Sequence, residues 1–141
     1  MVFGVSALDE AEELSRPRCL ELLGQHSTGR IALSERALPT VMPVTYRLIG
    51  DRLVFVTLAA TPALGEGPRP IVAFQVDEID PDTCAGWSVV VVGIAEEIDA
   101  GAGPFHQSRQ SLLAGLTTEH ISGRTYGPSE LTNPLVPNPG H

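Results

Sequence analysis

Few residues in this chain could do chemistry, and their spacing rejects most enzyme classes. Gly86-Trp87-Ser88-Val89-Val90 opens like a nucleophile-bearing strand-to-helix turn, but such a turn needs glycine where Val90 stands. Ser88 therefore reads as a strand residue. The histidines, His26, His106, His120 and His141, include no pair three or four apart that would set two zinc ligands on one helical face. Cys19 and Cys84 stand alone and far apart, giving neither a disulfide framework nor a paired metal motif. The cluster Asp77, Glu78, Asp80 and Asp82 has the carboxylates for a hard cation, yet lacks the loop glycine and distal glutamate of a calcium site, so a solvated turn is expected. Gly101-Ala102-Gly103 lacks the later glycine of a dinucleotide fingerprint and reads as a linker. No side chain stands out as a general acid or base, and no metal site is expected.

Composition narrows the field further. The chain has 141 residues, the size of one domain, with nine basic residues against seventeen acidic ones and a net charge of −8. All nine basic residues are arginine, because the sequence contains no lysine. A phosphate-coating nucleic-acid binder is thereby disfavoured. With 43% hydrophobic and 18% charged residues the chain is too apolar for disorder, and no apolar run approaches the length of a membrane span. The start, Met1-Val2-Phe3-Gly4-Val5-Ser6, has no basic flank and turns acidic at Asp9-Glu10, unlike a secretion signal, so a cytoplasmic location is expected.

The elements that must position any site read as follows. Residues 1–14 form an acidic N-terminal arm, solvated or frayed. Ser15 can cap, Pro17 fits a first turn, and Cys19, Leu20 and Leu23 recur at helical spacing, predicting a helix over Arg16–Leu23. The period then becomes two. Ile31 and Leu33 alternate with Arg30, Ala32 and Ser34, and a second strand over Thr40–Ile49 is interrupted by Pro43, which marks an edge or bulge. Gly50-Asp51 suits a type II′ hairpin into Arg52–Thr57. The stretch Leu58–Pro70 is a loop, Ile71–Val76 a strand, and Asp77–Asp82 an acidic turn. Trp87–Ile98 is the longest strand signal, and the run Val89–Val92 implies burial on both faces. Pro104 opens a second helical pattern with Phe105, Leu112, Leu113 and Leu116 on one face, and a proline-rich tail closes the chain over residues 126–141. Strands at short spacing with helices at the two ends predict a mainly β domain, an antiparallel barrel with short flanking helices.

Five strand segments and one short run then combine into a pattern. They are Gly29-Arg30-Ile31-Ala32, Pro43-Val44-Thr45-Tyr46, Val54-Phe55-Val56-Thr57, Val72 to Asp77, Gly86-Trp87-Ser88-Val89 with Gly93-Ile94-Ala95, and Ile121-Ser122-Gly123-Arg124. In this order the sequence resembles the pyridoxamine 5′-phosphate oxidase-like, flavin-binding split-barrel family, over a domain placed at residues 15–125. The resemblance implies a six-stranded antiparallel split barrel that forms a homodimer, with flavin mononucleotide (FMN) in clefts at the subunit interface and a small-molecule substrate. It places Pro43, Val44, Thr45, Tyr46, Val56, Thr57, Trp87, Ser88, Arg30 and Arg124 around the cofactor, with Thr57 at the phosphate. Alternation alone equally allows Val44 and Tyr46 as barrel core, Trp87 as a core or dimer anchor, Thr57 as a plain strand residue, and Arg30 and Arg124 as surface charges.

One departure bears on function. Family members usually follow the threonine with glycine and then a cation for the flavin phosphate, whereas this chain runs Leu58-Ala59-Ala60-Thr61-Pro62-Ala63-Leu64. A phosphate without its cation loses charge-assisted bonds of about 1.5–3 kcal/mol each, roughly ten- to a hundredfold in affinity. Arg69, Arg47 or Arg30 would have to compensate. Oxidation of pyridoxamine phosphate itself is disfavoured, since that substrate also needs cations, and the deazaflavin F420, with its acidic tail, fits a lysine-free chain poorly. The expectation is a flavin-dependent oxidoreductase, set against a split-barrel dimer that has lost flavin and serves as a binding or regulatory module.

Overall fold

The structure is a computed structural model that describes residues 11–57, 64, 65, 67–98, 112–128 and 135. Helix α1 spans Arg16–Gly24, one residue beyond the predicted end. The Ser15 hydroxyl accepts the Arg18 N–H at 3.3 Å, Pro17 sits in the first turn, and Cys19, Leu22 and Leu23 are buried. The strands are β1 (Ala11–Glu13), β2 (Thr28–Glu35), β3 (Leu38–Ile49), β4 (Arg52–Thr57), β5 (Ile71–Ile79), β6 (Gly86–Ile94), β7 (Glu96–Glu97), β8 (Leu113–Thr117) and β9 (Ile121–Tyr126). All ladders are antiparallel, in the order β1-β9-β6-β5-β2-β3-β4-β8-β7.

One end of that order, β7, is joined by the chain to β6, which lies near the other end. Only Ala95 separates β6 from β7, and its N–H leaves the ladder to donate to the Pro70 carbonyl at 3.0 Å. Before the break this line pairs with β5 and β9, and after it with β8, so the sheet curls back on itself as a split barrel. The strand count exceeds the six expected. Ala11–Glu13, read as part of a solvated arm, forms β1 against β9, and Leu113–Thr117, read as helix, is strand β8. The spacing of Leu112, Leu113 and Leu116 satisfies either period over so short a run. The unpaired edge of β4 decides between them, because its buried N–H and C=O groups require partners that only a strand supplies. The rest of that expected helix, residues 104–111, lies outside the described residues, as do residues 1–10 of the arm.

Other differences have local causes. β5 extends to Ile79 because Asp77 and Glu78 pair with Ser88 and Trp87, and the turn comes later, where the Asp80 carboxylate accepts the N–H groups of Asp82 and Thr83. The valine run alternates: Val89 and Val91 are fully buried, while Val92 is 41% exposed on the outer face. Burial on both faces is therefore met within the chain at β4 but not at β6. Pro43 sits where expected, one residue past the end of the β3–β4 ladder, so its missing N–H leaves no gap on that side.

The two-residue hairpin turns, β3–β4 and β2–β3, are visible in the backbone. Gly50 takes φ +64°, as the β3–β4 turn requires. The β2–β3 turn is Arg36-Ala37, at φ 52° and 63°, a left-handed pair without asparagine or glycine. The core centres on Phe55, Phe74, Ile31, Val44 and Leu23. Tyr46 meets Phe74 edge to face at 4.8 Å, and its hydroxyl donates to the Leu23 carbonyl at 2.6 Å, fastening the end of α1 to β3.

Two outcomes follow from these contacts. Arg36→Asn with Ala37→Gly relieves the left-handed strain and stabilises the fold by about 1 kcal/mol, seen as a Tm raised by roughly 2–4 °C. Burial pushes the Tyr46 phenol up to about 12 from 10.0, and burial likewise raises the Cys19 thiol against the lowering effect of Arg16. The folded state thus favours the neutral phenol, so this stability is complete below about pH 10 and is lost as the pH climbs toward 12. Urea midpoints should fall over that window in the wild type, and Tyr46→Phe, which keeps the cysteine contribution, should lack the tyrosine component of the fall.

Candidate functional site

Strand parity sorts the ten residues singled out from the sequence. Paired residues in an antiparallel ladder share a face, so the registers can be followed across the sheet. One outer row runs Pro43–Arg30–Gln75–Val90–Ser122. A parallel row starts at Thr45–Thr28 and, past the end of the β2–β5 ladder, continues as Asp77–Ser88–Arg124–Glu13. A third, apolar row is Val41–Ala32–Ala73–Val92. Arg30, Pro43, Thr45, Ser88 and Arg124 therefore lie on one outer surface, although they come from four different strands. A cleft of about 300 Å³ opens on it between β2 and β3, lined by Thr28, Gly29, Arg30, Val41, Met42 and Pro43.

Four of the other five face the opposite way. Val44 and Tyr46 are buried inside the barrel, and Tyr46 is engaged with Leu23 as described. Thr57, opposite Val44, is fully buried; its Oγ1 accepts the Leu112 N–H at 3.0 Å. Val56, paired with Thr45, is on the same outer face as that residue, where Val54, Leu113 and Ile98 pack around it. Trp87 faces opposite to Ser88, as neighbours on a strand must, and its ring lies 5.0 Å from that of His26. The segment 58–63, where the expected phosphate cation is missing, lies outside the described residues.

Charge on the outer surface is partly committed. Arg30 Nη1 stands 3.4 Å from the Asp77 carboxylate and 3.5 Å from Gln75 Oε1. The pair is half-exposed, so it is worth at most about 1 kcal/mol and a ligand can compete for either partner. Ser88 and Tyr126 share a hydrogen bond at 3.0 Å. Gln75 and Tyr126 were not singled out from the sequence, and Asp77 only as part of an acidic turn; the signal that places them here is the ladder register, which a single sequence does not display. Among the described residues no group of three or more His, Cys, Asp or Glu side chains could hold a metal ion, and no helix is long and apolar enough to cross a membrane.

A flavin needs an apolar platform for its ring, donors at the ring edge and a cation for its phosphate. The outer surface supplies each of these. Val41, Pro43 and Val90 are apolar, Thr45 and Ser88 carry hydroxyls, and Arg30 and Arg124 are cationic.

Comparison with known proteins gives the surface a context. An uncharacterised protein of Mycobacterium tuberculosis is 32% identical over 96 residues, 63% of this chain and 62% of that protein, so the match spans less than two thirds of the relative's length. The FAD-binding protein of Mycobacterium smegmatis superposes with a TM-score of 0.63 at 23% identity, covering 82% of this chain and 98% of that one. An FAD-binding protein of Mesorhizobium loti gives a TM-score of 0.61 at 22% identity, covering 83% and 99%. At these identities the two structures share the fold. The family profile described as pyridoxamine 5′-phosphate oxidase matches residues 15–125, from the cap of α1 into β9, and the chain belongs to that family.

Proposed function

We propose that this chain binds a flavin on the outer surface of the β3–β2–β5–β6–β9 arc and serves as a flavin-dependent oxidoreductase for a small molecule. The observation that carries this reading is the shared face of Arg30, Pro43, Thr45, Ser88 and Arg124, five positions scattered in sequence and gathered by register. The FAD-binding neighbours support a flavin in general; FMN is the form favoured by the small open cleft. Bound flavin would supply hydride and electron transfer, which explains why the chain offers no acid–base pair. Pro43 and Val41 would form the ring platform, Thr45 and Arg30 would orient its polar edge, and Val44, Tyr46 and Trp87 would brace the wall from behind. Thr57 would act as a structural acceptor for Leu112.

The apolar row supports a homodimer. Val41, Ile71 and Val92 are 63%, 69% and 41% exposed, and the small Ala32 and Ala73 between them let a second sheet approach closely. A second copy of this uncharged face is its natural partner, and covering it would close the cleft from above. The flavin-free reading draws on Glu13 and Asp77, whose carboxylates stand in the same row as Arg124 and weaken any anion there.

Purified protein mixed with FMN or FAD should quench flavin fluorescence with micromolar or tighter affinity, and light scattering should give twice the chain mass. Val92→Arg should lower that mass to one chain. Absence of quenching with both flavins at saturating concentration would reject the cofactor and leave the binding-module reading. Thr57→Val should lower stability by about 1–3 kcal/mol through the orphaned Leu112 N–H, with flavin affinity nearly unchanged. A large affinity loss at unchanged stability would return Thr57 to the phosphate.

A further inference from the structure

Of the three ion pairs among the described residues, only Arg30–Asp77 lies on the rows that carry the candidate site. Its geometry is loose. Arg30 Nη1 stands 3.4 Å from the Asp77 carboxylate and 3.5 Å from Gln75 Oε1, both at the far limit of a hydrogen bond, and the paired side chains are 49% and 32% exposed. The β2–β5 ladder ends at Arg30–Gln75, and Asp77 stands one two-residue step further along the same face, so Arg30 reaches it only diagonally. A pair of this kind is held weakly and exchanges partners readily.

A flavin that engages Arg30 takes the counter-charge away from Asp77. The uncovered carboxylate then faces the same surface, with Ser88 directly opposite it on β6 and Gln75 beside it on β5. Carboxylate, amide oxygen and hydroxyl oxygen together form an acceptor set for the three N–H donors of an ammonium group. Ala73 and Val90, each next to Gln75 on the outer face, offer apolar contact to the rest of such a molecule. A metal ion is the poorer occupant, because among the described residues no group of three or more His, Cys, Asp or Glu could hold one. Charge points the same way. Along the two polar rows Arg30 and Arg124 are balanced by Asp77 and Glu13, and the whole chain carries −8. A bound flavin phosphate adds negative charge, so the occupied surface repels anions and draws in cations.

We propose that Asp77 is a specificity-determining residue, which accepts the positive charge of an organic-cation substrate and is masked by Arg30 until flavin binds. The proposal rests on the flavin reading above for the event that unmasks Asp77, whereas the preference for a cation belongs to Asp77 itself. Flavin and cation then favour each other's binding by one common factor, because each releases the partner that the other must displace.

Benzylamine, benzyl alcohol and benzoate present one ring with a positive, a neutral and a negative head. Each is titrated into the full chain while the amide resonances of Asp77 and Ser88 are followed. Saturating FMN should tighten benzylammonium about three- to fivefold and leave benzyl alcohol unchanged. Arg30→Gln without any flavin should already bind benzylammonium at the tighter level, in preference to benzyl alcohol and benzoate. Asp77→Asn should lose both that preference and the gain from FMN. A preference or a gain that survives Asp77→Asn overturns the proposal, as does an Arg30→Gln chain that does not select the cation. FMN that binds without tightening benzylammonium overturns the masking while sparing the flavin reading. If FMN does not bind, the flavin reading and the unmasking fall together, and a cation preference in Arg30→Gln that Asp77→Asn removes keeps Asp77 as the acceptor.

Discussion

A strand buried in a sheet has two rows of polar backbone groups to satisfy, and this small barrel meets that demand by letting one chain segment serve two ladders. The line from Gly86 to Glu97 pairs with β5 and β9 along most of its length, steps out at Ala95, and pairs with β8 beyond it. Without that step the sheet would end openly at β8, with its other end at β1. Gly115 belongs to the same solution, because the Arg52 guanidinium lies where its Cβ would be and reaches across β8 to Glu96 at 3.4 Å. The curvature that results turns one arc of the sheet outward as a continuous surface, and the candidate site lies there.

On that arc the two-residue period of a strand has the last word. A contiguous motif such as Pro43-Val44-Thr45-Tyr46 is cut in two by parity, with Pro43 and Thr45 outside and Val44 and Tyr46 inside. The inner pair is not idle, since Tyr46 fastens α1 and packs on Phe74, fixing the strand whose other face carries the cleft. Gly29 plays a comparable part between β2 and β5. A Cβ there would lie 2.8 Å from the Gln75 carbonyl and 2.9 Å from the Phe74 ring, so the close approach that sets Arg30 beside Gln75 needs a residue without a side chain.

Local chemistry was legible in the sequence, and pairing was not. Ser15 with Pro17 marked the start of α1, the alternation around Ile31 marked β2, and Gly50-Asp51 marked the β3–β4 turn, because each of these is decided within a few residues. Leu113–Thr117 was misread because its choice of strand over helix is made by β4, a partner some sixty positions away. The valine run showed that its residues prefer strands but not which of them would face outward. Arg30, Ser88 and Arg124 could be picked out singly, yet their common face, and the inclusion of Gln75, Asp77 and Tyr126, follow from registers that only the folded sheet defines.

The short strand β1 lies against β9, so Glu12 meets Thr125, while Arg16 at the head of α1 holds the carbonyl of Thr118, 102 positions away. Contacts of such sequence separation carry the largest loop-closure cost, so this clasp closes late in folding and is the first to open from the native state. Because Arg124 rides on β9 between β1 and β6, one rim of the candidate site belongs to the least protected part of the molecule, and the opposite rim, on the tight β2–β3 hairpin, to one assembled early. Amide exchange should therefore run unevenly across a single surface, quick beside Arg124 and slow beside Arg30.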